Sequence, residues 1–309
     1  MDNQNPPPLS VAPIPVDPSG QKNPELFPLS ALIEGIAEEA GRRHDLRAQG
    51  KNFGPVTPFP ELTKQWGGSI PRGLHIVLGK SGVGKTAFAL QIAALCECPC
   101  LYITCEMTPA ELLCRTTARV TRTLLQTLKD GTFSSTGVRQ LATQAATACP
   151  QLTIANSTQT DRWASPKWML EIGTTLKKQP TDDVLIIVDS LHSWAESAGI
   201  DAQDYELISF ACRELRTLAE KLNCPVIAIS EMNRASVAKG ASKEKQSSGA
   251  GSRKIEYGSE SVIYLDKGDY DKLTHETEIN LIWEKNRNGA AGKQINLIFE
   301  GGFQRYREA

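Results

Sequence analysis

The 309-residue chain predicts an α/β fold: a mainly parallel sheet flanked by helices, with antiparallel strands at its C-terminal end. Three observations predict it. Short apolar runs at 74–78, 101–105, 184–188 and 225–230 alternate with helical stretches at about 85–96, 109–129, 136–147, 166–177 and 204–222. Such alternation builds strand–helix–strand units whose strands lie parallel. Beyond residue 260 the pattern becomes strand–turn–strand: "SVIYLDK", "TEINLIWEK", "NRNGAAG", "KQINLIFEG". An Asn-Gly turn between apolar runs favours an antiparallel hairpin. Finally, "GKSGVGKT" at residues 79–86 lies where the first strand passes into a helix.

Composition narrows the possible classes. Hydrophobic residues make up 40% and charged residues 22%, with a net charge of −1. A duplex-coating protein would be basic, so any nucleic-acid contact must be local. The start "MDNQNPPPLS" lacks the basic flank and apolar core of a signal peptide, and no apolar run reaches membrane-spanning length. The expectation is a cytoplasmic protein with no membrane contact and reduced thiols. The chain has eight cysteines. "CECPC" at 96–100 has no His-x-His or second Cys pair nearby, so these read as small buried fillers rather than a metal site.

Residues 1–28 carry eight prolines among polar residues and read as a disordered tail, a docking element for an unknown protein partner. A helix follows at 29–50. Ser30 can cap it, and Leu32, Ile33, Ile36, Ala37 and Ala40 share one face. That stripe needs a partner, either its own domain or a neighbouring subunit. Residues 51–73 are rich in Gly and Pro and read as loop, and 51–309 form the main domain.

The segment Gly79, Lys80, Ser81, Gly82, Val83, Gly84, Lys85, Thr86 fits G-x-x-x-x-G-K-[ST] between a strand and a helix. Its glycines permit a tight loop whose N–H groups converge on phosphate oxygens at a helix N-terminus. Lys85 adds a charge toward the β- and γ-phosphates, and the Thr86 hydroxyl is placed to ligate Mg²⁺. ATP with Mg²⁺ is the expected ligand. Such a loop needs a metal-orienting carboxylate on a neighbouring strand. "VLIIVDS" supplies Asp189 at a strand's C-terminal end, where open parallel sheets bind ligands. "LYITCEM" ends another strand with Glu106, which could activate water or could cap the following helix; spacing leaves both open.

Several stretches together resemble the DnaB family of replicative helicases. They are "YITCEMTPAELLCR", "PVIAISEMNRAS", "IWEKNRNGAAGKQINLIFEGGFQRY" and the lead-in "FGPVTPFPELTKQWGGSIPRG". The resemblance covers roughly residues 30–307 in order and implies a RecA-like P-loop NTPase core. It implies Glu106 as the catalytic base, Asp189 at the magnesium, and the helix at 29–50 as a linker docking on the next subunit of a ring, a hexamer in that family. The basic stretch after residue 231, with Arg234, Lys239, Lys243, Lys245, Arg253 and Lys254, would project into the ring channel and grip single-stranded DNA. The loop, Asp189 and Glu106 provide no arginine for the transferred phosphoryl group. In a ring, Arg287 becomes a candidate finger acting on the neighbour's nucleotide, with Lys285 as a second cation.

Two departures matter. A primase-binding N-terminal domain like the family's is not seen before the helix, so its partner recruitment is not expected here. The sensor position, usually Gln, is Glu231. An ionised carboxylate cannot donate to a γ-phosphate. Glu231 must therefore point away, pair with a cation such as Arg234, or sense differently. The expected function is a ring-forming DnaB-like ATPase that moves on single-stranded DNA and separates strands. Alternatives are a RecA-like ATPase of the KaiC or RadA kind, in repair, loading or regulation without processive unwinding, and an ATP-dependent assembly protein.

Overall fold

The computed structural model describes residues 27–158, 160–178, 182–231, 255 and 258–309. It divides into two units, Met1–Lys51 and Asn52–Ala309. In the first, a 3₁₀ turn (Leu29–Leu32) runs into α1 (Ile33–Ala48). Ser30 lies inside that turn and does not cap the helix; Leu32 holds the N-cap position with no side-chain bond. Glu39 pairs with Arg42 at 2.9 Å and Arg43 at 2.7 Å, one turn away. Leu32, Ile33 and Ile36 are exposed, and no residue of α1 is buried. The expected tail lies outside the described residues except for Phe27 and Pro28.

The second unit contains, in chain order, α2 (Pro60–Gln65), β1 (Gly73–Gly79), α3 (Lys85–Leu95), β2 (Cys100–Thr104), α4 (Pro109–Thr121), α5 (Ser135–Ala148) and β3 (Leu152–Asn156). Then follow α6 (Pro166–Leu176), β4 (Leu185–Asp189), α7 (Leu191–Glu196), α8 (Asp204–Leu222) and β5 (Pro225–Glu231). The chain ends with β6 (Ser261–Asp271), β7 (Glu276–Asn286), β8 (Gln294–Glu300) and β9 (Arg305–Glu308). The nine strands form one sheet in the order β3-β2-β4-β5-β1-β6-β7-β8-β9. Pairing is parallel from β3 through β6 and antiparallel from β6 through β9. β6 is therefore the hinge strand, parallel to β1 on one side and antiparallel to β7 on the other.

The central strands are continuous apolar runs because both faces are covered. Val77, Leu185, Ile187, Ile227 and Ile229 pack with α2, α3 and the start of α4. Leu74, Ile76, Leu78, Ile186, Val188 and Val226 pack with α6, α7 and α8 on the other face. Each large side chain removed from water contributes on the order of 2 kcal/mol. Cys96, Cys98, Cys100, Cys105, Cys212 and Cys224 are buried thiols in these layers, Cys149 is also buried, and Cys114 is half-buried. No helix among the described residues is long and apolar enough to cross a membrane.

The structure adds elements where local pattern was weak. The supposed loop at 51–73 contains α2, started by Pro60 and too short to show a period. β3 is an edge strand, with Thr153 exposed among half-buried neighbours. α7 spans six residues and β9 four. α4 stops at Thr121 rather than near 129, because Arg122 turns left-handed (φ 56°). Its guanidinium reaches Glu300 at 2.7 Å and lies 4.9 Å from the Phe303 ring centre, a tertiary anchor that ends the helix.

His75 ties β1 to β6. Its Nδ1 lies 2.8 Å from Ser261 Oγ and its Nε2 2.7 Å from the Pro71 carbonyl, so Nε2–H donates to Pro71 and Nδ1 accepts from Ser261. Burial lowers its pKa from 6.5 to about 4, since the charged form would be desolvated. The neutral ring contributes stability above pH 6.5 that is lost as pH falls toward 4, in total about 3 kcal/mol. Urea unfolding between pH 7 and pH 4.5 should show this loss. His75→Gln should flatten the curve in that window; a parallel curve would assign the acid sensitivity elsewhere.

Candidate nucleotide site

The loop from Gly79 to α3 leaves the carboxyl end of β1. Gly82 (φ 75°) and Gly84 (φ 97°) are left-handed, which requires glycine. Gly84 is also constrained from below: a Cβ there would stand 2.5 Å from Tyr306 Oη and 3.2 Å from Phe299. Tyr306 donates its hydroxyl to the Val83 carbonyl at 2.8 Å. Gln91 of α3 clasps the Tyr306 backbone, donating to its carbonyl at 2.9 Å and accepting from its N–H at 2.8 Å. The last strand thus holds the loop and its helix together. α3 starts at Lys85, so its first-turn N–H groups lack intrahelical acceptors and face the loop's concave side.

Lys85 is nearly buried, with 9% of its side chain exposed. Its ammonium donates to the Gly79 and Lys80 carbonyls, each at 2.9 Å. Burial lowers its pKa, and Glu231, Asp189 and Glu106 oppose that shift. Asp189 ends β4 and is also buried. Tyr102 donates to its Oδ2 at 2.6 Å, and Thr86 hydrogen-bonds to it. Burial raises the Asp189 pKa, while those two bonds and Lys85 pull it down. A hydroxyl and a carboxylate in contact beneath a phosphate-type loop suit a hard divalent cation and its bound waters. The residues present therefore fit Mg²⁺.

Glu106 follows β2, with an exposed side chain at the same edge. Ser190 donates to its Oε1, and so does Ser193 at 2.9 Å. It does not cap α4; Thr108 does, accepting from the Glu111 N–H at 3.2 Å. The Asp189–Ser190 peptide is cis. Glu231 ends β5 beside Gly79 and places its Oε1 3.5 Å from Lys85 Nζ, so among the described residues its cation partner is Lys85. Arg234, Lys239, Lys243, Lys245, Arg253 and Lys254 lie outside the described residues.

The structure therefore brings together residues 79–86, Asp189, Glu106 and Glu231. It does not bring Lys285 and Arg287 to them. Asn286 pairs with Ser261, which is level with His75 at the opening end of β1. Gly79 lies four positions farther along β1, roughly 13 Å away at strand spacing. Arg287 reaches Glu260 Oε1 at 2.8 Å, and its N–H donates to the Glu260 carbonyl at 3.0 Å. Lys285 donates to the Ser259 carbonyl. The hairpin cations thus stand at the edge opposite the loop of their own chain.

Sequence reasoning missed Tyr102, Ser190, Ser193 and Tyr306. Ser190 had a signal, following Asp189 directly. Tyr102 and Tyr306 carried no local signal, because their partners lie 87 and 223 residues away.

Known proteins resemble this chain in sequence and in fold. The family described as DnaB-like helicase C terminal domain matches residues 54–308. The replicative DNA helicase DnaB of Leifsonia xyli subsp. xyli (strain CTCB07) is 28% identical over 298 residues, covering 93% of this chain and 63% of the relative. That of Pasteurella multocida (strain Pm70) is 27% identical over 266 residues, covering 82% and 55%. The chain thus spans little more than half the length of these curated relatives. Among solved structures, one determined as an ATPase domain superposes with a TM-score of 0.71 at 19% identity, covering 92% of this chain and 100% of that one. A DnaB-like replicative helicase, solved with its interactions with primase, gives 0.68 at 19%, covering 93% and 68%. These likenesses establish the RecA-like fold.

The clasp under the loop has measurable consequences. Tyr306→Phe removes one buried hydrogen bond and should cost about 1 kcal/mol. Gly84→Ala should cost more, since its methyl meets both a left-handed backbone and the Tyr306 hydroxyl. Denaturant unfolding measures both. A Gly84→Ala no worse than Tyr306→Phe would show that β9 yields.

Proposed function

We propose, for a chain that belongs to the family of DnaB-like helicase C-terminal domains, that residues 79–86, Asp189 and Glu106 bind and hydrolyse ATP with Mg²⁺. Hydrolysis would drive a homo-oligomeric ring, a hexamer, along single-stranded DNA in the cytoplasm and separate duplex strands. Residues 29–50 serve as the linker helix and 51–309 as the ATPase domain. The observation that carries this reading is the convergence of Lys85, the Thr86–Asp189 pair and Glu106 on one sheet edge. The names of the curated relatives, replicative DNA helicases, support it.

Each group has a task in that reaction. Loop N–H groups and Lys85 hold the β- and γ-phosphates. Asp189, oriented by Tyr102, and Thr86 would hold Mg²⁺, which when bound neutralises charge on the phosphate oxygens. Glu106, steered by Ser190 and Ser193, aligns the attacking water and takes its proton. Charge developing on the transferred phosphoryl group falls to Lys85 and, from the neighbouring subunit, to Arg287 and Lys285. The position of Arg287 at the far edge of its own sheet supports a role in trans, since it cannot serve its own loop. The basic stretch from Arg234 to Lys254 grips DNA phosphates; that assignment rests on sequence alone.

Glu106→Gln should lower ATP turnover about 10²- to 10⁴-fold while retaining nucleotide affinity. A turnover assay with and without single-stranded DNA, beside displacement of a forked duplex, tests the rest. Stimulation with displacement supports the helicase reading. Stimulation alone supports the KaiC- or RadA-like reading, and no turnover supports an assembly protein. Arg287→Ala and Lys85→Ala chains should each be inactive and regain part of the activity when mixed. Full turnover by Arg287→Ala alone would leave Arg287 only as a brace for Glu260.

A further inference from the structure

Lys85 carries three N–H donors. Two are engaged by the carbonyls of Gly79 and Lys80 at 2.9 Å, and the third faces Glu231 Oε1 at 3.5 Å. The two carbonyls belong to the loop backbone, and Gly79 is pinned in β1 between β5 and β6. Neither can leave without rebuilding the loop. Glu231 differs: 63% of its side chain is exposed, and it stands at the last position of β5, level with Gly79. It is the movable partner of an otherwise fixed lysine.

The surrounding charge sharpens the consequence. Glu106, Asp189 and Glu231 all interact electrostatically with Lys85. Asp189 is held by Tyr102 and Thr86, and Glu106 by Ser190 and Ser193. Among these three carboxylates, Glu231 is the one whose described contact is Lys85 itself. A terminal phosphate that takes the lysine must displace that carboxylate and then lie a few ångströms from it, like charge beside like charge. The β-phosphate of a diphosphate also meets Lys85, but it ends one group earlier and brings less charge to Glu231, so it meets less of this repulsion.

We infer that Glu231 is a specificity-determining residue: it competes with the terminal phosphate of a nucleoside triphosphate for Lys85 and so shifts the site's preference toward the diphosphate. The role rests on the nucleotide reading above and adds a residue that sets which nucleotide the resting site favours. Glu231→Gln removes the negative charge, keeps the length and supplies an amide donor.

The test is calorimetric titration of the full chain with two probes, ADP and the non-hydrolysable triphosphate AMP-PNP, each with Mg²⁺. Glu231→Gln should tighten AMP-PNP binding about fivefold or more beyond any tightening of ADP, allowing for solvent screening of an exposed carboxylate. The difference between wild type and variant should shrink as KCl is raised from about 50 to about 500 mM, because a coulombic penalty is screened and a packing change is not. Glu231→Asp, which keeps the charge but draws it back from Lys85, should give an intermediate ratio. An unchanged AMP-PNP to ADP ratio in Glu231→Gln, with both nucleotides bound, overturns the inference and leaves the nucleotide site standing. Absence of binding by both wild type and Glu231→Gln overturns the nucleotide reading and the inference together.

Discussion

The level at which neighbouring strands end governs this molecule. Asp189 pairs with Thr104 on one side and Ile229 on the other, while Gly79 pairs with Glu231. Ile229 in turn is level with Val77, so β4 stops about two residues short of β1 and β5. That step leaves a recess under the loop. The Asp189 carboxylate occupies the recess, with the Tyr102 hydroxyl beneath it and Thr86 above. A register slip of one residue would turn Asp189 to the other face of the sheet and leave a buried carboxylate without its donors.

Burial and hydrogen bonding are balanced differently for each charged group at that edge. Asp189 is buried and is kept usable by two donors. Lys85 is buried and is kept in place by two carbonyls and an acid. Glu106 stays in solvent and is aimed by two serines instead. Three acidic groups face one buried lysine, with Lys80 exposed on the loop, so the edge is electrostatically suited to a cation-complexed phosphate more than to a free one.

The antiparallel half of the sheet works at both of its ends. At the loop end, β9 returns Tyr306 beneath Val83 and Gly84, so the final residues of the chain brace a loop formed early in it. At the opposite end, the β7–β8 hairpin presents Lys285 and Arg287 against Ser259 and Glu260. One sheet thus carries its glycine-rich loop and its arginine hairpin on opposite edges.

Local signals were enough for much of this. The phosphate loop was legible because its glycines, lysine and threonine are contiguous and every one answers a local need. The edge positions of Asp189 and Glu106 were legible because an acid closing an apolar run marks the ligand edge of a parallel sheet, while spacing left open whether Glu106 acts on water or caps a helix. The long helices and central strands followed from periodicity and from unbroken apolar runs. Short elements such as α2, α7 and β9 did not, since six residues or fewer hold too little pattern to separate a period from chance. Nor did the early stop of α4, which is decided by Arg122 meeting Glu300 and Phe303. Tertiary structure alone decided that Tyr102 steers Asp189, that Tyr306 braces the loop, that Glu231 pairs with Lys85 and that Arg287 stands away from its own site. Each of those depends on which strands become neighbours and where they end. That is a property of the folded sheet, because the contacts join residues far apart in the chain and leave no periodic trace within it.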